Sequence, residues 1–81
     1  MKIYKPDGRC NVAGCNIRIA REKASLSQEE LAAKIQLKGL NITQKAISRI
    51  ETGDRLVADY ELAYFADALG VTIYYLLDIS K

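Results

Sequence analysis

Eighty-one residues, 49% of them hydrophobic and 27% charged, have the composition of a folded globular chain rather than a disordered one, and a single domain is expected. No apolar run reaches membrane-spanning length, and Met1 to Cys15 lacks the apolar core of a signal peptide, so a cytoplasmic chain without a membrane partner is expected. The formal net charge of +2 names no partner by itself.

Residues 1–12 read as a polar N-terminal arm with a turn at Pro6-Asp7-Gly8, and residues 13–81 as the folded domain. Cys10 and Cys15 have no histidine to join them, and a structural zinc site needs four ligands, so no metal or other cofactor is expected. The plain reading is two reduced thiols near the start of the first helix. A disulfide or redox switch stands beside it.

From there on, apolar residues recur at three- and four-residue spacing, the lone proline is Pro6, and β-branched residues are scattered singly, which predicts an all-α domain. The first helix spans Gly14–Ala24. Ser27 opens the second, Gln28–Ile35, with Glu30 three residues on to complete a capping box. Thr43 opens the third, Gln44–Thr52; Ala58 precedes the fourth, Asp59–Leu69; Thr72 opens the fifth, Ile73–Leu77. Each of these four starts carries the hydrophobic staple in which a residue before the cap meets one in the first turns: Leu26 with Leu31, Ile42 with Ile47, Val57 with Leu62, and Val71 with Leu76. Ala58 cannot cap through its side chain, and Asp59 and Glu61 compensate with negative charge in that first turn. Gly53 and Gly70 supply left-handed stops. The expected core is Ile17, Ala20, Leu31, Ile35, Ile47, Ile50, Leu62, Phe65, Ala66, Leu69, Leu76 and Leu77.

Charge is unevenly placed. Residues 34–55 carry +3, from Lys34, Lys38, Lys45, Arg49 and Arg55 against Glu51 and Asp54. Residues 56–81 carry −3, from Lys81 against Asp59, Glu61, Asp67 and Asp78. The third helix has the unusual exposed face. At about 100° per residue, Ala46, Ile47 and Ile50 define its buried side, and the opposite side presents Gln44, Lys45, Ser48 and Thr52, with Arg49 at the edge. Amide, hydroxyl and cationic groups without a central carboxylate suit the major groove of DNA. Glutamine makes paired bonds to adenine, serine reads donors or acceptors, and lysine or arginine bonds guanine or phosphate. Lys38 and Arg55, flanking this helix, are candidates for phosphate. Glu51 falls at the border of the core, where a carboxylate needs a partner, and Arg21 on the inward side of the first helix is the candidate for a structural ion pair.

Leu26-Ser27-Gln28-Glu29-Glu30-Leu31-Ala32, then Ile47-Ser48-Arg49-Ile50-Glu51-Thr52-Gly53, then Ala68-Leu69-Gly70-Val71 together resemble the phage repressor/Cro type of helix-turn-helix, the XRE family. The resemblance covers about Ile17 to Leu77. It implies a compact five-helix, lambda-repressor-like bundle that binds duplex DNA as a homodimer. It also implies a phosphate contact from Gln28, major-groove positions for Thr43, Gln44, Lys45 and Ser48, and an internal ion pair between Arg21 and Glu51. Two departures stand out. Ser25 occupies a position where the family usually has glycine, so a non-glycine residue must bear a tight turn. Ile35 to Ile47 is longer than the family's usual spacing, which makes the turn a loop, Gln36 to Asn41.

The expected function is a sequence-specific DNA-binding regulator, most simply a repressor, that reads a roughly palindromic operator with the third helix. Some of Tyr60, Tyr64, Tyr74 and Tyr75, with the fifth helix and the C-terminal tail, are expected to form a dimer contact, the alternative being that they cover the core from outside. No enzyme or small-molecule ligand is expected, since histidine, a glycine-rich phosphate loop and a carboxylate pocket are all missing from the sequence. The alternative is a protein-interaction module, an antitoxin or anti-repressor subunit on the same fold. The arm could reach a minor groove, pack on the domain, or stay mobile.

Overall fold

The computed structural model describes residues 8–79, which hold five helices and no strand. The helices are α1 (Gly14–Lys23), α2 (Gln28–Leu37), α3 (Gln44–Thr52), α4 (Asp59–Leu69) and α5 (Ile73–Leu77). Pro6, Asp7 and the first part of the arm, like Lys81, lie outside the described residues. No described helix is long and apolar enough to cross a membrane.

The caps follow from the side chains present. Ser27 Oγ accepts from the Glu30 amide at 3.0 Å while Glu30 Oε1 accepts from the Ser27 amide at 2.8 Å, closing the capping box of α2. These bonds hold the Glu30 carboxyl below its ordinary pKa, the backbone bond first. Thr43 and Thr72 cap α3 and α5 through bonds from the amides of Ala46 at 3.1 Å and Tyr75 at 3.0 Å. At α4 only the reverse half of a box exists, because alanine offers no acceptor: Glu61 Oε1 accepts from the Ala58 amide at 2.9 Å. Gly53 (φ 85°) and Gly70 (φ 69°) end α3 and α4 in the left-handed region.

Two ends differ from expectation. α1 stops at Lys23, and Ser25 takes φ 58°, with its amide bonded to the Glu22 carbonyl at 3.0 Å and the Leu26 amide bonded to Arg21 at 3.1 Å. α2 runs on to Leu37, because Gln36 and Leu37 are good helix formers and no breaker occurs before Gly39 (φ 109°). Gln36 Nε2 then donates to the Ile42 carbonyl at 2.7 Å and stitches the loop to the end of α2.

α3 packs against α1 and α2, α2 against α4, and α1 against α5 and α4. Phe65, Ile17, Leu31, Ile35, Ile47, Ile50 and Leu76 are fully buried at the centre. Ala13, Ala32, Ile42 and Ala68 join them, whereas Leu62, Leu69 and Leu77 stand half-buried at the rim. All four staple pairs fall within this cluster or pack against it. The result holds α3 by its Ile47–Ile50 side and leaves the other side outward.

Candidate nucleic-acid interface

On α3, Gln44, Lys45, Arg49 and Thr52 are exposed and Ser48 is half-buried, with Thr43 exposed at the cap. Lys45 and Arg49 make no ion pair among the described residues, so their charge faces solvent.

The opposite border of the helix is organised by Glu51, of which 5% is exposed. Arg21 Nε donates to Glu51 Oε2 at 2.7 Å and Nη2 to Oε1 at 3.0 Å, a two-pronged bond between α1 and α3. Arg21 Nη1 donates to the Leu26 carbonyl at 2.8 Å, which ties the α1–α2 turn to the same site. The hydrogen bond to Glu51 raises the pKa of Arg21 above its ordinary value against the opposing effect of burial. An unpaired carboxylate in this place would be strongly destabilising.

Gln28 completes the arrangement. Its Nε2 donates to Glu51 Oε1 at 3.0 Å, and its own Oε1 accepts from Gln44 Nε2 at 2.7 Å. A carboxylate only accepts, so Glu51 dictates which end of the Gln28 amide faces it. The Gln28 carbonyl must then face Gln44, which in turn must offer a donor. Gln44 is left with one N–H and its carbonyl oxygen, the pair that matches N7 and the amino group of adenine. Gln28 is left with one N–H, and it lines an open cleft with Arg21, Ser27, Glu29 and Gln44 at the start of α2.

The other two phosphate candidates are held by carboxylates. Lys38 Nζ lies 3.0 Å from Asp67 Oδ2, a pair on the surface with side-chain exposures of 34% and 67%. Arg55 forks onto Glu61, Nη1 to Oε1 at 2.9 Å and Nη2 to Oε2 at 3.0 Å. Glu61 is buried, and Arg55 holds its carboxyl below the usual carboxylate range despite that burial. This pair fixes the α3–α4 connection.

Two participants were invisible to pattern reading. Arg9 and Asn11, within the arm, bond main-chain carbonyls at the end of α3, so the described part of the arm is packed on the domain. Their partners are carbonyls, which every residue carries, so the sequence holds no mark of the pairing. Cys10 and Cys15 are free thiols, the first half-buried and the second exposed. No group of three or more potential metal ligands occurs among the described residues.

Two short consecutive helices inside a five-helix bundle, the second turning an uncharged-to-cationic face outward, define a helix-turn-helix DNA-binding domain. A helix-turn-helix family model matches residues 17–76, from within α1 to the end of α5. The chain belongs to this family, in its XRE type, with the lambda-repressor-like fold, and is a DNA-binding transcription regulator. A comparison with curated proteins finds no match.

Proposed function

We propose that the chain represses transcription as a homodimer, with α3 of each copy in the major groove of a two-fold operator. The observation that carries this reading is the chain of bonds Arg21–Glu51–Gln28–Gln44, which spends three polar groups on orienting the fourth. Surface glutamines left to solvent gain little from such ordering, whereas a base-reading amide needs a fixed donor and acceptor. Gln44, Lys45, Ser48 and Arg49, with Thr43 at the cap, form the reading face. Gln28 anchors a phosphate through its remaining N–H. Lys38 and Arg55 join the backbone contacts by sharing or exchanging Asp67 and Glu61.

A dimer suits the exposed apolar side chains. Tyr60 lines a shallow groove with Leu56 and Val57, and Tyr74 and Tyr75 line another with Asn16 and Ile79, while Tyr64 is half-buried. Two-fold symmetry would set half-sites about one helical turn apart. The test is selection of bound duplexes from a random pool. A symmetric consensus supports reading and dimer together, and an asymmetric single site removes the dimer. Enrichment of no sequence moves the chain to the interaction-module reading, an antitoxin or anti-repressor.

A further inference from the structure

We propose that Arg9, Cys10 and Asn11 form a clamp on the C-terminal end of α3 that sets the pose of this helix and thereby the discrimination between DNA sequences. Arg9 and Asn11 act as positioning residues, and the inference rests on the reading of α3 as the DNA-reading element. The segment lies upstream of the family match, which begins at Ile17.

A helix end leaves four carbonyls without intrahelical partners. Here the upstream segment bonds two of the last α3 carbonyls, Ile50 and Glu51, and two carbonyls just beyond the helix, Gly53 and Arg55. Asn11 Nδ2 donates to Ile50 at 3.0 Å and to Arg55 at 2.8 Å. Arg9 Nη2 donates to Glu51 at 3.0 Å, and the Cys10 amide to Gly53 at 2.8 Å. Asn11 Oδ1 accepts from the Gly14 amide at 2.6 Å, so the side chain that grips the end of α3 also caps the start of α1. Three bonds fix the Asn11 amide in one orientation.

Glycines mark how close the parts approach. A Cβ on Gly14 would strike the Ile50 carbonyl oxygen, so only glycine lets α1 begin against α3. Gly53 takes φ 85°, and Arg9 lies across it, with Cζ 2.8 Å from where a Cβ would stand. The Arg9 cation therefore sits at the negative end of the α3 dipole. Gln28 holds the first turn of α3 through Gln44, and Arg21 holds its last turn through Glu51. The clamp adds the backbone just beyond, so sliding or rotation of the helix is opposed at both ends. Base reading requires placement within about 0.5 Å, whereas attraction to phosphates tolerates looser placement. Loosening the clamp should reach sequence discrimination first.

The experiment measures full-length wild type, Arg9→Ala and Asn11→Ala against the selected consensus duplex and a scrambled duplex of equal length, over a salt series, with thermal unfolding alongside. The clamp predicts that R9A, still cooperatively folded, loses roughly five- to tenfold in the consensus-to-scrambled affinity ratio, the size of one net hydrogen bond. The slope of log affinity against log salt should stay at the wild-type value, because no phosphate contact is removed. Arg9 lies at the surface edge, so this variant decides even where N11A fails to fold. A slope reduced by about one, with equal loss on both duplexes, overturns the proposal by making Arg9 a phosphate ligand. An unchanged ratio in R9A, with a discriminating wild type, overturns the clamp alone. A wild type that binds both duplexes equally removes the reading of α3, and this role with it.

Discussion

Gln44 donates its side-chain amide to the carbonyl of Gln28 at 2.7 Å, and that carbonyl points outward because the other end of the Gln28 amide is bonded to the buried Glu51. The donor and acceptor that Gln44 presents at the surface are thus set by a carboxylate two residues removed along the bond chain. The arrangement couples a core ion pair to the orientation of an exposed amide on α3.

Replacing Gln44 by Ala should cost ~1–3 kcal/mol on the cognate duplex and relax the preference at one base pair. Replacing Gln28 should weaken all duplexes and also blur that base pair, since Gln44 loses its orienting partner. The two losses should therefore overlap: the double variant should fall short of their sum by at least ~0.5 kcal/mol. Titration of the four proteins on cognate and single-substituted duplexes measures this. Additive losses would mean that the Gln28–Gln44 bond has no part in recognition.

Ser25 bears φ 58° in the turn between α1 and α2. A left-handed conformation costs a non-glycine residue roughly 1–2 kcal/mol, part of which glycine gives back through its larger unfolded entropy. Ser25→Gly should stabilise the domain by about 0.5–1 kcal/mol, raising Tm by a few degrees. Urea unfolding of the two proteins checks the sign, and a destabilised variant would contradict it.

Acid should unfold the protein partly through Glu61. Its carboxyl is held low by Arg55, so the folded state binds this proton less readily than the unfolded chain. Stability from the pair is therefore complete above the ordinary glutamate pKa of about 4.3 and lost as pH falls through the lower folded value. Glu61→Gln should be less stable than wild type at neutral pH, and the gap should narrow on acidification below about pH 4. Parallel stability curves from pH 7 to 3 would show that the Arg55–Glu61 bond does not contribute.

Much of this architecture is legible from side-chain pattern, and its gaps have a common cause. The bounds of α3, α4 and α5 follow from a staple on each start, and for α3 and α4 from a glycine beyond the end, signals that lie in the residues themselves. α2 overran Ile35 because its stop, Gly39, sits beyond two residues with no preference against helix. Leu62, Leu69 and Leu77 have core spacing, yet they stand half-buried at the rim, while Ala13, Ala32, Ala68 and Ile42 are buried in the central cluster. At the site, periodicity brings Arg21 toward Glu51 and exposes Gln44. It cannot show that Arg55 already has a buried partner, or that Arg9 and Asn11 reach main-chain carbonyls some forty residues away. Pairing with backbone leaves no trace in residue type.

The loop between α2 and α3 gives the last prediction. Lys38 is bound to Asp67, the more exposed partner, and an exposed pair of this kind contributes only ~0–1 kcal/mol to stability. Asp67→Asn should accordingly unfold within about 0.5 kcal/mol of wild type. It removes one negative charge and frees the ammonium, so a Lys38 that meets phosphate should bind DNA more tightly at low salt, with a salt slope steeper by up to about one. Lys38→Ala should shift both quantities the other way, on cognate and scrambled duplexes alike, because a phosphate carries no sequence. Isothermal titration or anisotropy over a salt series reads both. If neither substitution moves the slope, Lys38 serves to fasten the lengthened loop to α4, and the backbone contacts come from Gln28 and the cations of α3.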